Sequence, residues 1–127
     1  MNTLGVIAAF SAFLGIWLGH VAVRKIEFLS PTLWLPTAAF AVLGILLEYW
    51  SLITDHWSLN TTLGILGITF LWDALEFTRQ QRRVCKGHAP ANPRNPRHAN
   101  ILVKYPTATT VDLLKERRSL ITDNGSL

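Results

Sequence analysis

From Leu4 to Val23 the chain runs twenty positions with one titratable side chain, His20. A second run, residues 28–47, carries no charge at all. A third, residues 57–72, passes through Asp73 and Glu76 before it ends at Thr78. Roughly 20 apolar residues, at about 1.5 Å each, cross the hydrocarbon core of a bilayer. A soluble helix of that length needs a polar stripe facing water, and the first two runs have none. The pattern predicts an all-α, membrane-embedded bundle of three transmembrane helices, about 3–24, 31–53 and 58–86, forming a domain of residues 1–86.

Beyond it the character changes. Residues 79–127 hold thirteen of the twenty charged side chains and four of the six prolines. Proline at this density, with Asn-Pro repeats, favours turns or extended chain, so residues 87–108 are expected to form a linker. Thr109 to Asp112 resembles a capping box and predicts a short amphipathic helix at about 109–121. Its apolar side is Val111, Leu113, Leu114, Leu120 and Ile121. Residues 122–127 are expected to fray.

Charge sets the expected orientation. All twelve Lys and Arg either follow the first helix, as Arg24 and Lys25, or follow the third. The loop between helices two and three, about residues 49–60, has none. Basic segments stay in the cytoplasm, which predicts the amino terminus outside and the tail of residues 87–127 inside. Trp34 and Trp72 then fall at the inner interface, Trp50 and Trp57 at the outer one, where indole is favoured. The amino terminus lacks a basic n-region, so helix one is read as a retained anchor. Ser30 and Pro31 suit the cap and first position of helix two, and Pro36 predicts a kink.

Helices in lipid associate through small side chains. Ser11, Gly15 and Gly19 recur at intervals of four on helix one, and Gly64 and Gly67 mark helix three. At about 100° per residue, Trp72, Asp73, Glu76, Gln80 and Arg83 share one arc, with Gly64 and Gly67 broadly opposite. His20, Arg24 and Glu27 share a face placed opposite the Ser11–Gly19 stripe. A carboxylate in lipid needs protein, water or a partner, so Glu76 is expected to meet His20, with Arg24 or Arg79 beside them. The plainer alternative has these acids at headgroup level, balancing Arg79, Arg82 and Arg83. Glu48 is expected to snorkel outward beside Asp55 and His56.

No nucleophile–base pair, phosphate loop or metal-ligand spacing stands out, so neither catalysis, a cofactor nor a metal is expected. Cys85 is the only cysteine and has no internal disulfide partner. Arg94, Arg97 and Lys104 are expected to touch anionic lipid headgroups on the cytoplasmic face. Tethering to a bilayer accounts for that charge without nucleic acid.

His20, Lys25 and Glu27 match a His…Lys-x-Glu-aromatic pattern. Leu63 to Gly67, Trp72, Glu76, Gln80, Arg83-Val84, Lys86-Gly87, Pro90 and Asn92-Pro93 match a second. Over residues 1 to about 97 the chain resembles the small bacterial membrane proteins grouped as domain of unknown function 4491. It departs at Val21, where the family tends to proline, at Asp73, where it has a small residue, and at His88-Ala89, where it tends to aromatics. The resemblance implies a multi-pass protein of a bacterial cytoplasmic (inner) membrane. It marks His20, Glu76 and the tail residues Lys86, Gly87, Pro90, Asn92 and Pro93, and implies no activity. The expected role is a non-catalytic accessory subunit of a membrane complex, or a homo-oligomer. The alternative is proton or ion translocation through an oligomer by His20 and Glu76, with Asp73 and Glu48.

Overall fold

The computed structural model describes residues 1–125; residues 126 and 127, within the segment expected to fray, lie outside the described residues. It contains α1 (Leu4–Leu29), α2 (Trp34–Ile53), α3 (Trp57–Cys85), α4 (Pro96–Lys104) and α5 (Leu113–Gly125), with no strand among the described residues. α3 is the centre: α1 packs on one side of it and α2 on another, while α1 and α2 scarcely touch each other.

The contacts are made by small and polar residues. α1 buries Ser11, Gly15, Gly19, Val23 and Glu27, a continuous row at steps of four. Ser11 Oγ donates to Thr62 Oγ1 at 3.3 Å, and a Cβ on Gly15 would meet Leu66 and Thr69 at 3.3 Å. Across the α2–α3 seam, a Cβ on Gly44 would lie 2.9 Å from the Gly67 carbonyl, and one on Gly67 2.7 Å from Glu48 Oε1. Beside Gly64, Ser51 Oγ donates to the Asn60 carbonyl at 2.9 Å. Phe40 fills the inner part of that seam, its ring 5.1 Å from both Phe70 and Phe77.

The large apolar side chains point the other way. Phe10, Phe13, Ile16, Trp17 and Leu18 on α1 are exposed, as are Leu43, Ile45, Leu46, Tyr49 and Trp50 on α2. Fully buried hydrophobics are few, and all belong to the charged end: Val23, Ala74, Phe77, Val84, Ala91 and Ile101. In water this polarity is reversed from that of a soluble core. α1 and α2 qualify as membrane spans by length and hydropathy, with only 22% and 17% of their most apolar windows buried. A helix at the centre of a soluble protein would be mostly covered. α3 does not qualify, so two candidate spans stand where three were expected; Asn60, Thr61, Thr62, Asp73 and Glu76 dilute its apolar character.

Several helix ends differ from the sequence expectation. α1 continues past Arg24 to Leu29, and α2 begins at Trp34. Ser30 therefore caps nothing at the start of α2; its hydroxyl donates to the Thr32 carbonyl at 2.6 Å. Pro36 falls in the first turn, where the amide has no partner to lose, so the reason for expecting a kink disappears. The linker contains a helix, α4: Asn95 Oδ1 accepts from the Arg97 amide at 3.1 Å, with Pro96 in the first turn. Proline there is preorganised for a helix. α5 starts later than expected, because Asp112, not Thr109, caps it by accepting from the amides of Leu114 and Lys115.

α3 ends in a Schellman turn. The His88 amide reaches back to the Arg83 carbonyl at 2.9 Å and the Gly87 amide to that of Val84 at 3.1 Å. Gly87 has φ +78°, and a Cβ there would strike the Thr107 carbonyl. The reversal folds the tail back: Thr107 Oγ1 donates to the Cys85 carbonyl at 2.6 Å and the Ala91 amide to that of Thr109 at 2.8 Å. Val84, Ala91 and Ile101 close over this turn as a small core.

Candidate functional site

α1 ends without a glycine and without a basic residue in its last turn. Its final carbonyls need donors, and the folded-back tail supplies them. The Phe28 carbonyl accepts from Asn92 Nδ2 and Asn95 Nδ2, each at 3.1 Å, and Asn95 Nδ2 also reaches the Ser30 carbonyl at 2.8 Å. Arg97 Nη2 donates to the Glu27 carbonyl at 2.6 Å. A cation at this pole also suits the helix dipole.

Beneath this cap lies Glu27, only 1% exposed. Its Oε1 accepts from Arg97 Nη1 and from His98 Nε2, both at 2.9 Å. Arg97 Nη1 also donates to Gln81 Oε1 at 2.6 Å, which ties the clamp to α3. The Asn92 amide donates to His98 Nδ1 at 2.9 Å. That nitrogen therefore carries no proton, and Nε2 holds the hydrogen directed at Glu27. His98 is fully buried and neutral, its ring edge-on to Phe28.

A second polar group lies on α3. Asp73, Glu76 and Gln80 are all buried. Glu76 Oε1 accepts from Arg79 Nη1 at 2.7 Å, and its Oε2 lies 3.7 Å from Arg83 Nη2. Arg83 Nη1 donates to Gln80 Oε1 at 3.1 Å, and the Arg79 guanidinium covers the Trp72 ring at 4.8 Å. The carboxylate of Asp73 packs onto the bare Cα of Gly19. Glu76, Gln80 and Arg83 join Trp17, His20 and Arg24 around a cleft of about 490 Å³ between α1 and α3. A second cleft of about 430 Å³ shares Val21, Arg24, Gln80 and Arg83 with it and extends to Lys25, His88 and Leu113.

These placements correct parts of the sequence reading. Glu76 pairs with Arg79 and Arg83, and no ion pair joins it to His20 among the described residues; the two share a cleft wall instead. Glu27 lies on the Ser11–Gly19 row, not opposite it. Rows at steps of four incline across a helix surface, so α3 follows the row round to a face that a straight helical wheel separates. Gly64 and Gly67 face α2, and Glu48 packs inward over Gly67. Arg97, expected at lipid headgroups, is spent on Glu27, while Arg94 and Lys104 stay exposed. Trp34, Trp50, Trp57 and Trp72 are all exposed.

Of the tail residues singled out, Gly87 makes the Schellman turn and Asn92 caps α1. Pro90 lines the second cleft, while Lys86 and Pro93 stay exposed. The sequence reading missed Gln81, Asn95 and His98. Their signal was an isolated acid at the end of an apolar helix and an Asn-Pro-Arg-His string that reads as a helix cap. No group of three or more potential metal ligands occurs among the described residues.

Taken together this is a small all-helical protein, with apolar helices joined through glycine and serine and tied at one end by a polar clamp. The chain belongs to the family described as Domain of unknown function (DUF4491), whose model matches residues 2–95. No curated protein and no solved structure matches it.

Proposed function

We propose that this is an integral membrane protein of a bacterial cytoplasmic membrane, with three spans and its tail in the cytoplasm. It serves as a non-catalytic subunit that associates with copies of itself or with larger membrane proteins. The observation that carries this reading is the reversed polarity of the helices. Glycine, serine and carboxylates lie at helix–helix contacts, while Phe, Trp, Ile and Leu face outward. Hydrocarbon is the solvent in which that arrangement is stable. α3 crosses as the third span, with its acids Asp73 and Glu76 buried and so kept from lipid.

A subunit role follows from what the chain leaves uncovered. α1 and α2 both pack mainly on α3, and each keeps a broad apolar face free for others. The buried acids Glu27 and Glu76 are held by two cations or donors each, an arrangement that supports structure more than turnover. Purification in mild detergent followed by native mass measurement tests this. A homo-oligomer or a defined complex is expected; a lone monomer without companions contradicts it.

One observation favours the second reading, proton or ion translocation. Glu48 points into the α2–α3 seam at Gly67, six residues and so about 9 Å along the axis from Asp73. Acids then stand at more than one depth, beside His20 and Glu76. Proton flux into liposomes, lost in Glu76→Gln and Glu48→Gln, would select this role.

A further inference from the structure

The two adjoining clefts have an amphipathic gradient of their own. Toward the apolar middle of the molecule the wall is Trp17 and Val21, both more than half exposed. Toward the charged end it is Arg24, Lys25, Arg83 and His88. The acids that reach these walls are already engaged. Glu27 is bonded by Arg97 and His98, Glu76 by Arg79 and Arg83, and Asp112 caps α5. Arg24 and Lys25 have no carboxylate partner among the described residues. A concave surface with two unspent cations above an apolar channel is complementary to one kind of molecule: an anion carrying a hydrocarbon chain.

We propose that the α1–α3 cleft binds an anionic phospholipid, its phosphate between Arg24 and Lys25 and one acyl chain along Trp17 and Val21. This site rests on the membrane placement proposed above and is distinct from general attraction of the tail to the bilayer. Guanidinium and ammonium groups both hold phosphate well, and a position at the edge of hydrocarbon sets headgroup and chain at the correct levels together. Leu113 at the start of α5 lies over the outer cleft, so occupancy would also seat that helix.

The test uses the full-length protein purified in neutral detergent and offered equal amounts of phosphatidylglycerol and phosphatidylcholine, with bound lipid counted by native mass spectrometry. Wild type is expected to retain phosphatidylglycerol preferentially. Arg24→Gln with Lys25→Gln should weaken retention by about thirtyfold, since each of the two cations near a headgroup contributes about 1 kcal/mol. Val21→Trp, which fills the chain channel without changing charge, should weaken it too. Lys104→Gln, at an exposed residue ending α4, should leave it unchanged. Both altered sites are exposed, and circular dichroism checks that each variant keeps its helices. Retention unaffected by the double substitution, or lost equally with Lys104→Gln, overturns the proposal. Full displacement by inorganic phosphate overturns it as well, because the site would then hold an anion and no lipid. A protein that never sediments with membranes defeats the membrane reading; one that does, yet shows no lipid preference, defeats this inference alone.

Discussion

At the scale of single residues, Glu27 explains most about how the chain is held. It is an acid at the end of an apolar helix, and water is excluded from it. Burying a carboxylate is tolerable only when it is paired and hydrogen-bonded. Arg97 and His98, some seventy residues away, supply that pairing. Removing one partner leaves the charge uncompensated, so Arg97→Met should destabilise the protein by about 3–5 kcal/mol. Thermal unfolding in detergent checks this, with Arg94→Met, at an exposed arginine, as the neutral comparison. Equal melting of the two variants would remove the clamp from the account. Spacing alone placed Asp73, Glu76, Gln80 and Arg83 on one face of helix three. It could not place Glu27, because its partners come from a segment whose fold depends on the Gly87 reversal. Nor could it separate His20 from Arg79 as the partner of Glu76, since both lie within a turn of the right depth.

At the scale of elements, three long helices were legible because apolar runs of that length have few other uses. Two of their ends were not, the close of α1 and the start of α2. α1 runs through Arg24, Lys25 and Glu27 because the tail caps its last carbonyls, a long-range cause that local propensity does not carry. α4 was hidden by its own proline: Asn95-Pro96 looks like a break but serves as cap and first turn. The Gly87 turn can be tested directly. Gly87→Ala forces a side chain into positive φ and against the Thr107 carbonyl, and should cost at least about 2 kcal/mol. Gly5→Ala, where a Cβ meets nothing within 4 Å, should be neutral or stabilising by up to about 1 kcal/mol in a helix. Unfolding midpoints for the pair decide it; similar values would mean the tail is not folded back as described.

At the scale of the whole molecule, the described residues divide into an apolar part held by small residues and a charged end held by the tail. The first has almost no core of its own, and the second has most of the buried side chains. Such a division suits a boundary between two solvents; in the proposed placement hydrocarbon would cover the helices and the clamp would close the cytoplasmic face. α5 belongs to neither, with Leu113, Leu114, Leu120 and Ile121 exposed. All of this depends on a bilayer around α1, α2 and α3 with the tail on its cytoplasmic side. Fusing a fluorescent protein that matures only in the cytoplasm, or a phosphatase active only outside it, to the carboxy terminus tests that most directly. The account predicts fluorescence in the membrane fraction and no phosphatase activity; active phosphatase, or fluorescence in the soluble fraction, would contradict it.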